Sequence, residues 1–444
     1  MTQHAALYDY CDAKVLLTIR NGKWDFVTCT AETLIELADI ALSQRITHLW
    51  VMDSCLYPPQ LAEGAYSIKI NIRHGKIATV SVWKRGIGHV NIIFPHATGW
   101  ADCFGDAGAH DILIAIHYVE QALGIHVSGS PGNTGWGLLK QLHPTWIEEI
   151  PLNLRECHFT PRAGRDIVWQ AETLSLRAAG KRYIHKFDRS MAFTAAATQT
   201  DIGVGTPVHV ETAMGAIHEK GHPQAVGVWR CTVSDTPDSI VQSDMPEIWF
   251  DERDTWLSGP IIRLLRAIGY EVEVHEGWVF PEQHDLLVKW GKLLWDARQS
   301  FSHDEEWINT AGRELAYRMA KTIANTTVGF TAYKGFDEEE KEKARPDIRL
   351  QVVTRNAELM YHCMNKVKQL YGATPAMVYM DACYYLSDEP DGRAALPELV
   401  KREGKLGGFK YEGRIELTPD VRKMFALKMS VAQRLEWLNK VGWE

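Results

Sequence analysis

Two short apolar, aromatic-rich runs each close on an aspartate, and they set narrow limits on how this chain can fold. One is Ile184-His-Lys-Phe187-Asp188 and the other is Met377-Val-Tyr379-Met-Asp381. Such runs read as buried strands. Carboxylates at the tips of two strands build a paired-acid site for a hard cation such as Mg²⁺. Between them in sequence lies Arg318-Met-Ala-Lys321-Thr-Ile-Ala-Asn325-Thr-Thr-Val-Gly329. Arg318, Lys321 and Asn325 recur at helical spacing and share one face, turned away from Met319, Ile323 and Val328. Alone, that face describes a solvated helix closed by a glycine. Beside the two aspartates it supplies the cations that phosphoryl transfer needs to neutralise a triphosphate.

The order of these stretches resembles that of family B DNA polymerases. Asp188 to Phe193 is similar to the first palm motif of that family, Asp-x-x-Ser-Leu-Tyr-Pro. Lys321 to Gly329 resembles the fingers motif Lys-x-x-x-Asn-Ser-x-Tyr-Gly. Tyr379-Met-Asp381-Ala-Cys383 resembles Tyr-x-Asp-Thr-Asp. Gly404-Lys-Leu-Gly-Gly-Phe-Lys410-Tyr-Glu412 looks like the stretch that enters the thumb, and Phe159 to Arg165 like an element that touches the template strand. The resemblance implies metal ligands at Asp188 and Asp381. It implies nucleotide contacts from Lys321, Asn325, Arg298, Arg318 and Phe193, and DNA contacts from Tyr379, Gly329, Arg165 and Lys410. The implied cofactor is Mg²⁺ or Mn²⁺, bound weakly or not at all. The implied partners are primer–template or DNA ends, deoxynucleotides and a further replication protein.

The departures from the family pattern carry their own expectation. Cys383 stands where the family has its second motif Asp, and Phe193 and Val328 replace tyrosines. Cysteine is a poor ligand for a hard cation. The resemblance therefore implies slow synthesis or none. An active polymerase that recruits Asp388 or Glu389, and a non-catalytic interaction scaffold, are the alternatives. Compactness without evident proofreading associates such a chain with phages, mobile elements or linear replicons.

The expected fold class is α/β and α+β. A ribonuclease-H-like domain (1–150) precedes a palm of antiparallel sheet and helices (151–282 and 336–398), helical fingers (283–335) and a reduced thumb (399–444). The opening strands are read at 7–19 and 24–29 around Asn21-Gly22, at 47–51, and at 66–72, 77–83 and 89–94. Helices are read at 30–43 and 109–123. The family's proofreading Asp-x-Glu is missing from these strands, and Asp53 and Asp111 read as ordinary strand-end and helix-start residues. The glycine-rich Ser128 to Gly137 lacks the Lys-Ser/Thr of a P-loop and is read as a tight loop opening a helix at Leu138. Further on, Trp256 to Tyr270, Asp285 to Arg298 and Asp347 to Leu370 read as helices.

A net charge of −8 argues against a wholly basic nucleic-acid coat but permits a local basic groove. The eight cysteines include no Cys-x-x-Cys, which argues against a zinc knuckle. Scattered cysteines and the absence of an apolar leader or ~20-residue apolar span suggest a reducing cytoplasm without membrane insertion.

Overall fold

The structure is a computed structural model. It describes all residues except 1–3, 11–12, 21–22, 53–65, 74–75, 146–148, 152–153, 155–167, 212–225, 243–244, 249–253, 303–309, 334–335 and 337–339. The chain divides into two units, one of residues 1–142 with 292–330 and one of 143–291 with 331–444.

The first unit is built on a seven-stranded sheet. Its strands are β1 (His4–Tyr10), β2 (Ala13–Arg20), β3 (Lys23–Thr28), β4 (His48–Val51), β5 (Tyr66–Arg73), β6 (Lys76–Lys84) and β7 (Gly88–Ile93). The order is β3-β2-β1-β4-β7-β6-β5, with β4 parallel to both β1 and β7 and the other neighbours antiparallel. The single strand read at 7–19 is thus two paired strands. No Gly or Pro stands between them in sequence, so the apolar pattern runs on without punctuation. Along β6 the inward Ala78, Val80 and Val82 alternate with less buried neighbours.

One sheet face is covered by the helix Leu34–Ser43. Thr33 caps it by accepting from the Glu36 amide, and Glu36 returns the bond to Thr33 N–H. The cap places the helix start at Leu34 rather than at residue 30. Leu34, Leu37, Ala38 and Ala41 then join Val80, Val82, Val90 and Ile92 in one core. The helix Ala109–Leu123 packs on β1 and β2 and also against the helix Thr310–Phe330. A third helix, Pro131–Leu142, completes the cluster and corrects the loop reading of the glycine-rich stretch. Its glycines serve close approach. A Cβ at Gly132 would lie 2.7 Å from the Phe330 ring, and one at Gly135 would run into Thr327.

The second unit holds a five-stranded sheet in the order β18-β9-β17-β16-β8. Its strands are β8 (Val168–Gln170), β9 (Tyr183–Arg189), β16 (Met377–Tyr379), β17 (Ala382–Ser387) and β18 (Phe409–Glu416), all antiparallel to their neighbours. The long helix Pro346–Tyr371 shares a core with it through Met360, Tyr361, Met364, Phe187, Cys383 and Tyr385. A four-stranded sheet, β11-β14-β12-β13, combines β11 (Val208–Val210), β12 (Gly227–Val233), β13 (Asp254–Ser258) and β14 (Val272–Val279), and β10 (Ile202–Val204) pairs with β15 (Glu282–His284). The helix read from Trp256 begins only at Gly259 and ends at Ala267. Proline fits the first helical turn, and Pro260 sets that boundary. After β18 the chain forms helices Pro419–Ala426 and Val431–Val441, more structure than the short tail expected. Arg434, 2% exposed, ties them to Gln170 and to the Leu427 carbonyl. Among the described residues no helix is long and apolar enough to cross a membrane.

Candidate active site

Successive residues of a strand point to opposite faces, and directly paired residues share a face. In β9, Phe187 is fully buried in the core, so Asp188 points out of the other face. Asp188 pairs with Ala382 of β17 and with Lys410 of β18. The hairpin joining β16 to β17 turns at Met380-Asp381 between the paired Tyr379 and Ala382. Met380 takes a left-handed φ of 55°, and the Arg189 amide donates to the Asp381 carbonyl at 3.1 Å. This turn brings Asp381 up to Asp188.

Five charged side chains gather here: Asp188, Asp381, Glu412, Lys186 and Lys410. Lys410 Nζ lies 3.7 Å from Asp188 Oδ2 and also pairs with Glu412, while Lys186 Nζ lies 2.8 Å from Glu412 Oε2. Burial pushes the Asp188 carboxyl up to about 6, and the charges of Asp381 and Glu412 push in the same direction. Lys410 and Lys186 pull it down but do not prevail. Glu412 differs. Burial opposes its charge too, yet hydrogen bonds from Lys186 and Lys410 outweigh burial and hold it below the usual carboxyl range. The site therefore gathers carboxylate oxygen donors. That donor chemistry fits Mg²⁺ or Mn²⁺ at Asp188 and Asp381, with Glu412 alongside. Among the described residues no group of three His, Cys, Asp or Glu stands close enough to hold a metal ion by itself.

Cys383 faces the core. It pairs with Phe187, not with Asp188, and is 0% exposed. Its thiol is on the core face, where burial pushes its pKa up. The hairpin turns at Met380-Asp381, and alternation then sends residue 383 inward. Asp388 also falls away as a substitute. It pairs with Lys181 at 2.9 Å, just past the far end of β17, about 20 Å along the strand from Asp381. Glu389 follows it, with its carbonyl bonded to the His185 ring at 3.0 Å. Glu412 and Lys186 were missed as site residues. The even spacing of Lys186 and Asp188, and of Lys410 and Glu412, is the signal that could have found them.

Tyr379 pairs with Ala382 and so shares the face of Asp188. Phe193 is half-buried in the short helix Ala192–Ala197 that follows β9. In the first unit, Arg318, Lys321, Asn325 and Gly329 are all exposed along one face of Thr310–Phe330, while Met319, Ile323 and Val328 are buried. Gly329 lies inside that helix rather than ending it. Arg298, expected to meet a triphosphate, is 9% exposed and stacks at 4.2 Å over the Tyr317 ring, donating to its hydroxyl at 2.5 Å. Its planar group is drawn into the helix packing. Arg165 and Asp53 lie outside the described residues, and Asp111 sits in the first turn of its helix as expected.

The fold of the chain has counterparts among solved structures. The fold resembles that of phi29 DNA polymerase, a family B enzyme. The chain aligns over 94% of its length with 85% of phi29 DNA polymerase complexed with primer-template DNA, at 14% identity and a TM-score of 0.57. Against the ternary complex of phi29 DNA polymerase with incoming nucleotides the figures are 94%, 86%, 13% and 0.58. Its orthorhombic crystal form gives 94%, 85%, 14% and 0.58. No protein-family model matches the chain, and no curated protein does. At this identity the likeness to phi29 DNA polymerase is one of fold.

Proposed function

We propose that the chain is a DNA polymerase-like protein that binds primer–template and extends it by nucleotidyl transfer. The observation that carries this reading is the nearness of Asp188, on the outer face of β9, to Asp381 in the adjoining hairpin turn. The burial of Cys383 supports taking Asp188 and Asp381, rather than residue 383, as the ligands.

In this reading Asp188 and Asp381 hold the divalent cation, which when bound supplies charge neutralisation for the attacking and leaving oxygens. Lys410 serves as counter-ion to Asp188 and keeps Glu412 ionised. Lys321 and Arg318 neutralise the incoming triphosphate, with Asn325 and Phe193 placing the nucleotide. Tyr379, Gly329 and Lys410 face DNA. Arg298 positions the fingers helix through Tyr317. The chemical step joins a primer 3′-oxygen to the α-phosphorus and releases pyrophosphate. Residues 283–335 act as fingers, the β9-centred sheet as palm, and 399–444 as a reduced thumb. The strand order β3-β2-β1-β4-β7, with parallel β1, β4 and β7, supports a ribonuclease-H-like reading of residues 1–150, without nuclease activity.

The test is extension of a labelled primer with Mg²⁺ and with Mn²⁺. Wild type extends, and Asp188→Asn and Asp381→Asn do not. An inert wild type that still binds primer–template would reduce the reading to DNA binding alone.

A further inference from the structure

A second polar cavity, of about 340 Å³, opens elsewhere in the second unit. Its volume lies within the roughly 300–1,000 Å³ typical of ligand pockets. Arg263 and Arg355 line it, together with Gln199, Gln283, Gln351 and Asp201. Behind the two arginines stands Glu358, its side chain only 7% exposed. Arg355 Nη1 donates to Glu358 Oε2 at 2.6 Å, and Arg263 reaches the same carboxylate through Nε and Nη2 at 3.4 and 3.3 Å. His362 approaches it at 4.0 Å. One carboxylate thus fixes two guanidiniums side by side and neutralises only one of them.

The donors left over are numerous. A guanidinium carries five N–H groups, and Glu358 takes few of the ten. Arg355 Nε is buried and has no hydrogen-bond partner. Two of the glutamines are already committed. Gln351 donates to the Gly227 carbonyl at 2.9 Å and Gln199 to the Ala195 carbonyl at 3.1 Å, so they shape the wall. Gln283 is exposed at the rim. Gly259 and Pro260, the first turn of the helix Gly259–Ala267, also line the cavity. Ser258 does not cap that turn, because its hydroxyl is bonded to Thr354 at 2.5 Å.

We propose that this cavity binds a phosphate group, held in the fork of Arg263 and Arg355 and reached by Gln283. Planar guanidiniums match phosphate oxygens two at a time, and a site that presents donors in surplus calls for a ligand that only accepts. Among the described residues Asp201 is the one acid on the lining. It is exposed at the mouth and acts against the ligand. This site is independent of the Asp188–Asp381 pair and does not rest on polymerase activity.

The experiment is isothermal titration of the full chain in EDTA, which keeps cations from the carboxylate pair. The probes are inorganic phosphate, pyrophosphate and deoxyadenosine monophosphate. A background carrying Arg318→Ala and Lys321→Ala removes the other phosphate-binding candidates. Saturable binding is expected in that background for at least one probe, and the tightest identifies the carrier. Arg355→Met should weaken it about tenfold, the loss of a charge-assisted hydrogen bond. Asp201→Asn should tighten it about twofold to threefold by removing a repelling charge. Should Arg355→Met fail to fold, Gln283→Ala and Asp201→Asn carry the test, the first weakening and the second tightening. No saturable binding of any probe, or affinities unchanged by these substitutions, overturns the proposal.

Discussion

The substitution Cys383→Asp separates the linear motif from the folded strand. By the motif it supplies a missing ligand and should raise activity. By the register it puts a carboxylate beside Phe187 and Tyr385, at a position with 0% exposure. The nearest cation is Arg189, itself 4% exposed and already bonded to Asn356 at 2.7 Å and to the Gly407 carbonyl at 3.0 Å. It offsets the new charge only in part. An incompletely paired buried charge costs about 3–5 kcal/mol. That is a large share of a total stability of about 5–15 kcal/mol. At about 2–4 °C per kcal/mol for a unit of this size, the melting temperature falls by about 6–20 °C. Burial raises the new carboxyl above its unfolded pKa, so the penalty is smallest below about pH 4 and grows as the pH rises through the folded value. The assay is thermal denaturation by circular dichroism at pH 4 and pH 8, with primer extension alongside. A variant that melts like wild type and extends faster refutes the register argument.

The remaining predictions concern the charged face and the glycine helix. Asp188 has a folded pKa raised to about 6 from 3.8, so the stability its protonated form provides is present below about pH 4 and lost as pH rises through 6. Asp188→Asn should therefore abolish extension yet raise the melting temperature at pH 8, with a ceiling of about 3 kcal/mol, and show no gain at pH 4. Equal melting at pH 8 would show that Lys410 already balances the charge. In EDTA, Lys410→Met should move the acid-side inflection of the wild-type melting curve to higher pH, since it removes a cation that lowers Asp188. An unmoved inflection counts against the pairing. Gly135→Ala should destabilise the first unit by about 1–3 kcal/mol through overpacking against Thr327, and Thr327→Ala in the same chain should recover part of the loss.

Legibility in the sequence followed the strength of local periodicity. The Ala109–Leu123 helix was readable to the residue, because apolar spacing and glycine boundaries agree there. The exposed stripe of Arg318, Lys321 and Asn325 was readable for the same reason. Asp188 and Asp381 could be named as a pair from their strand-tip positions. What could not be read was which way residue 383 points. That depends on where the hairpin turns, and the turn uses Met380 in a left-handed conformation that no glycine or asparagine announces. The glycines at 132 and 135 misled for a related reason. Glycine signals a turn by local habit, but here it permits two helices to touch, a tertiary fact. Glu412 and Lys186 were hidden because a network across β9 and β18 joins positions over two hundred residues apart.

The alternation along β9 and β17 also makes Cys383 a sentinel of correct pairing. A slip of one residue would turn its thiol to the same side as Asp188, into water, and would carry an aromatic neighbour out of the core with it. Alkylating reagents should therefore leave Cys383 untouched in native protein and label it only in chains that have opened or mispaired. Peptide mapping of the label would count the misregistered fraction directly, with no substitution and no knowledge of the reaction. The same geometry ties two properties that are usually selected apart. A mutation that loosens the packing around Phe187 loosens the placement of its neighbour Asp188, so heat tolerance and cation affinity should rise and fall together across variants of this sheet.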